Sequence, residues 1–172
     1  SEISVERRGD LAVVTLNRPD KLNALTLEMR VELMESFRQM HADPGVRAVL
    51  LQARGRAFCA GADISTMGED DVWGDRARLY RAHQMILAIY NCEKPVVAAV
   101  RGPAVGIGLS IALACDVVIA SQTAKLGQVF RKIGLAPDGG AAFFLQNLIG
   151  RQRATDLAFS ARMVPAEEAL NL

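Results

Sequence analysis

Two segments of the sequence combine small residues with glycine directly after an apolar run. Residues 56–65, the first glycine segment, read RAFCAGADIS, and residues 101–116, the second glycine segment, read RGPAVGIGLSIALACD. Small side chains let a ligand approach the backbone, so that main-chain N–H groups can bind it. Two N–H groups aimed at one carbonyl oxygen form an oxyanion hole, which stabilises negative charge on that oxygen. The spacing alone also fits glycines that serve only tight packing between a strand and a helix.

Part of the second glycine segment, GPAVGIG, loosely imitates the GxGxxG pattern of dinucleotide-binding proteins. Its glycine spacing differs from that pattern, and no acidic residue is evident at the end of a following strand. The sequence therefore gives no support for a nicotinamide site or for dehydrogenase activity.

Asp138 stands in the segment GLAPDGG and is a candidate acid–base residue. Burial among apolar residues would raise its pKa and make its carboxylate a stronger base. The apolar residues near it in the sequence are Phe130, Ile133, Leu135 and Phe143. The residue types also fit an aspartate in a turn before two glycines, or an N-cap of the following helix. A catalytic and a structural role are both open at this point.

The predicted elements alternate between strands and helices along residues 1–172. A hairpin is predicted across Gly9 and Asp10, and a helix is predicted after a Thr26 N-cap. The apolar residues near helical spacing in that helix are Leu27, Val31, Met34, Phe37 and Met40. The central strands, such as VVAAV, are apolar throughout, which is typical of a buried parallel sheet. We predict a single α/β domain in which helices cover a mostly parallel sheet.

The composition argues against several classes of function. The net charge is +1 and the charges are scattered, so we expect no binding to nucleic acid. Three cysteines without CxxC spacing and two distant histidines make a poor metal site. Polar or charged residues interrupt every long apolar run, so no membrane span is predicted. The odd cysteine count and the lack of a signal peptide favour a reducing compartment, and we expect a cytoplasmic protein.

Four segments resemble the motifs of the crotonase superfamily, the enoyl-CoA hydratases and isomerases, in the family's order. They are LNRPDKLNALTLEM, RAFCAGADIS, KPVVAAVRGPAVGIGLSIALACDVVIAS and AKLGQVFRKIGLAPDGGAAFFL. The resemblance covers essentially the whole chain. It implies a crotonase-like ββα spiral fold, in which repeated turns stack into two packed sheets. The C-terminal helical region that trimerises such proteins is expected to be mostly absent, because the sequence stops just as PAEEALNL begins a helix.

The resemblance also implies an acyl-CoA thioester substrate, with coenzyme A as part of that substrate, no other cofactor and no metal. It implies a homotrimer or a dimer of trimers. The implied oxyanion donors are the backbone N–H groups of Ala60 and Ile107. The positions that match the family's CoA site are Lys21, Ala24, Ala60, Ala62, Asp63, Ile64 and Gly108. Trp73 and Tyr80, near the acidic loop at residues 68–75, are candidates to line the acyl pocket.

The sequence departs from the family at both catalytic glutamates of its hydratases. Ser110 and Phe130 occupy those positions, and neither residue type can act as a matched acid and base. Efficient two-glutamate hydration is therefore not expected. Asp138 is similar to the aspartate base of isomerase branches, such as the ring-epoxide and ring-oxepin isomerases of phenylacetate degradation. The resemblance implies that Asp138 moves a proton between two carbons of an enolised thioester.

Two alternatives to the isomerase are open. One is an enoyl-CoA hydratase, a CoA-thioester hydrolase or a dehalogenase that uses Asp138 as a base or nucleophile. The other is a non-catalytic module that binds acyl-CoA, which the loss of both glutamates permits.

Overall fold

The larger of the two β-sheets in the described residues has five strands and contributes to the hydrophobic core. The structure, a computed structural model, describes residues 1–66 and 71–172. The strands of this sheet are β1 (Ile3–Arg8), β2 (Leu11–Leu16), β3 (Ala48–Ala53), β4 (Val96–Val100) and β6 (Val117–Ala120). They lie in the order β1-β2-β3-β4-β6. β1 and β2 form the predicted antiparallel hairpin, and the other neighbours pair in parallel. The mostly parallel sheet predicted from the apolar strands is confirmed.

Three short strands form a second sheet that the residue pattern did not predict. They are β5 (Pro103–Val105), β7 (Lys125–Gly127) and β8 (Met163–Pro165). β5 and β7 pair in parallel, whereas β8 runs antiparallel to β7. A three-residue strand is too short for the alternation of polar and apolar residues to identify it. The two sheets agree with the layout that the family resemblance implied.

The described residues form six α-helices, which flank and connect the strands. They are α1 (Leu27–Ala42), α2 (Val72–Tyr90), α3 (Ile107–Leu113), α4 (Ala141–Ile149), α5 (Arg151–Ser160) and α6 (Ala166–Leu170). Thr26 caps α1 as predicted, because its hydroxyl oxygen accepts a hydrogen bond of 3.1 Å from the N–H of Met29. Within the two described ranges, no helix has the length and apolar character needed to cross a bilayer.

The buried face of α1 differs from the predicted face. Met29, Leu33 and Phe37 are fully buried, together with Arg30, whereas Val31 is 42% exposed. Apolar residues occur at helical spacing on two neighbouring faces of this helix, so periodicity alone did not determine which of them faces the core. The buried face of α1 therefore includes one arginine, Arg30.

The two glycine segments lie side by side. Cys59 and Ala104 form an isolated parallel β-bridge, and the N–H of Val105 donates to the Cys59 carbonyl oxygen at 2.9 Å. α3 begins directly against the first glycine segment, because a Cβ added at Gly108 would lie 2.5 Å from the same carbonyl oxygen. Glycine at position 108 therefore permits the close packing of α3.

Replacing Gly108 by alanine should destabilise the fold, because the new methyl group would overlap a backbone oxygen that cannot rotate away. We expect Gly108→Ala to lower the free energy of unfolding by about 2 kcal/mol, measured by urea denaturation. Gly45→Ala is the control, since its methyl group would meet only the side chains of Arg7 and Asp43. Its effect should stay within about 0.5 kcal/mol, and equal effects of the two substitutions would contradict the packing role of Gly108.

Candidate active site

A cavity of about 960 Å³ lies where the two glycine segments meet. The two segments line it together with α1, α2 and the loop before α4. Most of the predicted site residues contribute to its wall: Ala24, Ala60, Ala62, Asp63, Ile64, Ile107 and Asp138. Among the described residues, no three His, Cys, Asp or Glu side chains cluster as a metal site would require.

Two of the predicted site residues are not among the described residues that line the cavity. Lys21 is exposed in the short 3₁₀ turn Pro19–Lys21, and its contact with CoA stays a prediction. Gly108 is buried against Cys59. The structure therefore gives Gly108 a packing role, and its contact with CoA stays a prediction.

The predicted first oxyanion donor already has an acceptor within the chain. The N–H of Ala60 donates to the Leu22 carbonyl oxygen at 3.0 Å. An amide paired in this way cannot also bind a substrate oxygen, so the structure corrects the assignment of this role to Ala60. Leu22 and the following Asn23 have positive φ angles of 52° and 55°. This left-handed turn brings the Leu22 carbonyl to the first glycine segment.

Asn23 fixes that turn from inside the protein, a role that the sequence analysis missed. The residue is fully buried. Its side-chain N–H₂ donates to the carbonyl oxygens of Arg54 and Ala57, both at 2.9 Å, and its Oδ1 accepts from the N–H of Arg18 at 2.8 Å. The available signal was the residue type, since asparagine tolerates the left-handed conformation and bonds to nearby backbone.

The N–H of Ala62 is a further candidate donor in the first glycine segment. The Gly61 carbonyl of the same peptide accepts from the N–H of Leu25 at 2.8 Å, and the described residues contain no cis peptide. Because C=O and N–H of a trans peptide point in opposite directions, the Ala62 N–H points away from Leu25. This N–H has no hydrogen-bond acceptor in the part of the chain that the structure describes.

The N–H of Ile107 is the corresponding amide of the second glycine segment. The Gly106 carbonyl of the same peptide accepts from the N–H groups of Leu109 and Ser110, at 3.0 and 3.1 Å, inside the first turn of α3. The Ile107 N–H therefore points outward from that turn. Like the Ala62 N–H, it has no acceptor among the described residues.

Strand pairing places the two partnerless amides close together. Cys59 pairs with Ala104, and Ala62 and Ile107 each lie three residues further along their segments. The segments stay in contact beyond the bridge, since a Cβ added at Gly61 would lie 3.0 Å from the next strand's backbone. Both amide-bearing residues line the cavity. Two residues whose N–H groups have no acceptor among the described residues therefore line one cavity.

Asp138 lies at the same cavity, in the loop before α4. Its Oδ1 atom is buried and has no hydrogen-bond partner within the described chain. Burial raises the pKa of Asp138, whereas its electrostatic interactions with His83 and Arg30 act in the opposite direction. The side chain does not cap α4, because Gly140 is the N-cap and no side-chain bond is made there. Asp138 takes part in the turn only through its backbone carbonyl, which accepts from Ala141 at 3.0 Å.

Phe130 and Ser110 lie near the Ile107 amide without supplying a carboxylate. Phe130 lines the cavity, and its ring lies 3.7 Å from the position of a Cβ added at Gly106. Ser110 is fully buried, and its hydroxyl lies 3.4 Å from the Gly106 carbonyl oxygen and 3.5 Å from that of Asp138. An apolar ring and a buried hydroxyl thus stand where the resembled hydratases carry glutamates.

The carboxylate of Asp63 is held within the chain. It accepts hydrogen bonds from the Ser65 hydroxyl and from the Arg18 guanidinium, each at 2.7 Å, and these bonds lower the pKa of Asp63 to about 2. The N–H of Asp63 donates to the Leu25 carbonyl oxygen at 3.0 Å. At neutral pH Asp63 is therefore a fixed negative charge in the cavity wall and not an acid–base group.

The predicted aromatic lining of the acyl pocket is wrong. Trp73 and Tyr80 are 72% and 63% exposed, and Tyr80 lines a separate groove between α1 and α2. α2 contributes Leu79, Ala82 and His83 to the cavity instead. Residues 67–70, which include the first part of the predicted acidic loop, lie outside the described residues.

Comparison with known proteins connects this site to a family. A family model for enoyl-CoA hydratase/isomerase matches residues 6–172. The chain belongs to the enoyl-CoA hydratase/isomerase family. A Mycobacterium tuberculosis protein named "Probable enoyl-CoA hydratase EchA14" is 41% identical over 170 residues, which are 98% of this chain and 65% of that protein. The 1,2-epoxyphenylacetyl-CoA isomerase of Escherichia coli K12 is 38% identical over 162 residues, which are 91% of this chain and 61% of that enzyme.

Solved structures agree with this assignment. An enoyl-CoA hydratase from Mycobacterium avium subsp. paratuberculosis K-10 has a TM-score of 0.91 to this chain at 38% identity, covering 99% of this chain and 65% of that one. The crotonase-like fold predicted from the four motifs is thereby confirmed. The chain spans about 65% of the length of the curated relatives that it matches.

Asp63 should contribute to stability through its charged hydrogen bonds. We expect Asp63→Asn to lower the free energy of unfolding by about 1–2 kcal/mol at pH 7, measured by urea denaturation. Because the folded-state pKa is depressed to about 2, this contribution is present above the ordinary carboxyl pKa. It should be lost as the pH falls from about 4 toward about 2. Asp20→Asn, at an exposed aspartate in the 3₁₀ turn, is the control. A pH-independent difference between wild type and Asp63→Asn would argue against the charged contacts.

Proposed function

We propose that this protein binds an enoyl-CoA thioester and moves its double bond, with Asp138 as the base that carries the proton. One observation supports the proposal above all others. Asp138 lines the same cavity as Ala62 and Ile107. Within residues 1–66 and 71–172, neither its Oδ1 atom nor the N–H groups of Ala62 and Ile107 have a hydrogen-bond partner. An enolate reaction needs these two elements together, a base beside the substrate carbon and donors for the carbonyl oxygen.

The two amides hold the thioester carbonyl oxygen in this mechanism. The Asp138 carboxylate removes a proton from a carbon of the enoyl group, and the electrons of that C–H bond move through the acyl group onto the thioester oxygen. The resulting dienolate is stabilised by the Ala62 and Ile107 N–H groups, at a few kcal/mol per donor. The protonated Asp138 then returns the proton to a different carbon. The double bond has moved, and no water is consumed.

The same proposal covers coenzyme A, assembly and compartment. We place coenzyme A along the wall that includes Ala24, Ala60 and Ile64, as part of the substrate and with no other cofactor. The CoA thioester chemistry in the names of the relatives supports this placement. The family resemblance supports a homotrimer or a dimer of trimers, and the odd cysteine count supports a cytoplasmic location.

Hydration is the second candidate, and the names of the relatives favour it, since several are called enoyl-CoA hydratases. A hydratase that used Asp138 alone would have to activate water and protonate carbon with one carboxyl group, because Ser110 and Phe130 supply none. Product analysis separates the two reactions. A shifted double bond without incorporation of solvent oxygen supports isomerisation, whereas a hydroxyacyl-CoA product supports hydration.

Removing the carboxylate tests the role of Asp138. We expect Asp138→Asn to lower the rate of double-bond migration by at least about a hundredfold, while the affinity for acyl-CoA stays within about twofold. NMR of a bound enoyl-CoA in deuterated buffer gives the rate of proton exchange, and calorimetry gives the affinity. Asp156→Asn, at an exposed aspartate on α5, controls for the loss of one charge. Unimpaired exchange in Asp138→Asn would refute the assignment.

The pH dependence of the reaction gives a separate test. A base must be ionised to accept a proton, so the rate should rise with pH and level off above the pKa of Asp138. Because burial raises that pKa, the midpoint should lie above about 3.9, the usual value for aspartate. The measurement is kcat/KM against pH. A rate that falls as the pH rises through this range would contradict the role of Asp138 as a base.

A further inference from the structure

Arg30 on α1 is a buried charge for which the described residues supply no hydrogen-bond partner. The residue is only 5% exposed, and it lines the cavity. Its Nε atom is inaccessible to solvent and unbonded, and in the described ranges its guanidinium forms no ion pair. Burying a charge without a partner is costly, and buried arginines are ordinarily bonded to an anion or a carbonyl. The site therefore offers a strong donor group that the described protein atoms do not use.

The charges around Arg30 favour an anion beside it. Arg78 and His83 of α2 line the same cavity, and repulsion from Arg78 adds to burial in lowering the pKa of Arg30. Asp138 is the carboxylate that attracts Arg30, but no hydrogen bond joins the two side chains in the described structure. The cavity wall also includes Asp63, which Arg18 and Ser65 hold, and Asp75. Asp138 must keep an oxygen open if it is to accept a proton.

We propose that Arg30 binds a carboxylate at the far end of the acyl group, so that the protein prefers CoA thioesters of dicarboxylic acids. This inference rests on the proposed function, which puts the thioester at the Ala62 and Ile107 amides and the acyl group beside Asp138. An acyl carboxylate that continued past Asp138 would meet the guanidinium, whose planar fork matches a carboxylate with two parallel hydrogen bonds. A neutral acyl chain would leave the buried charge without a partner.

Matched ligands and matched variants test this preference. Glutaryl-CoA and pentanoyl-CoA have five-carbon acyl groups and differ in the terminal carboxylate, and calorimetry with the full-length protein compares their affinities. We expect wild type to bind glutaryl-CoA about tenfold or more tightly than pentanoyl-CoA. Arg30→Met should abolish this preference without weakening the binding of pentanoyl-CoA, and Arg30→Lys should retain part of it. Arg38→Met, at an exposed arginine of α1 that pairs with Glu35 at 3.0 Å, should keep the full preference.

The outcomes separate this inference from the function on which it rests. Equal affinities of wild type for the two ligands would overturn the inference, and this comparison does not depend on the folding of any variant. A preference that survives Arg30→Met in a folded protein, as judged by circular dichroism, would overturn it as well. An Arg30→Met protein that shifts only the pH midpoint of proton exchange would show that Arg30 merely balances the charge of Asp138, and would also overturn it. If neither glutaryl-CoA nor pentanoyl-CoA binds wild type, the proposed acyl-CoA function fails first.

Discussion

The parallel pairing of the two glycine segments at Cys59 and Ala104 is the constraint on which the rest of the site depends. The pairing sets the register, and the register sets which peptides emerge at the cavity. Hydrogen bonds to the Gly61 and Gly106 carbonyls then fix the orientation of the following amides, because C=O and N–H of one trans peptide are antiparallel. A change of register by one residue would present different amides to the cavity.

Close packing keeps this register in place. Glycine at position 108 lets α3 approach the Cys59 carbonyl, and the left-handed turn at Leu22 and Asn23 occupies the Ala60 amide from the other side. The first glycine segment is therefore held between two neighbours. Main-chain donors fixed in this way need no rearrangement when charge develops on a bound oxygen, which is the physical basis of stabilisation by an oxyanion hole.

Asp63 and Asp138 line one cavity, and their carboxyl pKa values are shifted in opposite directions. Hydrogen bonds from Ser65 and Arg18 lower the pKa of Asp63, whereas burial raises the pKa of Asp138, whose Oδ1 has no partner among the described residues. A raised folded-state pKa means that the folded protein binds the proton more tightly than the unfolded chain does. Ionised Asp138 therefore lowers stability as the pH rises above its ordinary pKa. The same lack of bonds leaves its carboxylate free to accept a proton.

The sequence by itself determined the α/β class, the mostly parallel sheet, the Thr26 cap and, through four motifs, the family. These features depend on local residue types and on hydrophobic runs, which can be recognised without knowing what packs against them. It also identified both glycine segments and Asp138, because glycine and a lone carboxylate in a motif are visible as residues. It did not determine that the Ala60 amide is hydrogen-bonded within the chain, since Ala60 and Ala62 are the same residue type. Only the structure shows that the Leu22 carbonyl oxygen accepts from the N–H of Ala60.

Only the tertiary structure decided the features that depend on distant partners. The three-residue strands of the second sheet exist because they pair with one another. The inward face of α1, and with it the burial of Arg30, depends on the rotation of that helix against the core. The exposure of Trp73 and Tyr80 likewise depends on where α2 lies. In each case the deciding interaction joins residues that are far apart in the chain. A local sequence pattern therefore cannot show which of two similar helix faces, or which of two similar amides, takes part in that interaction.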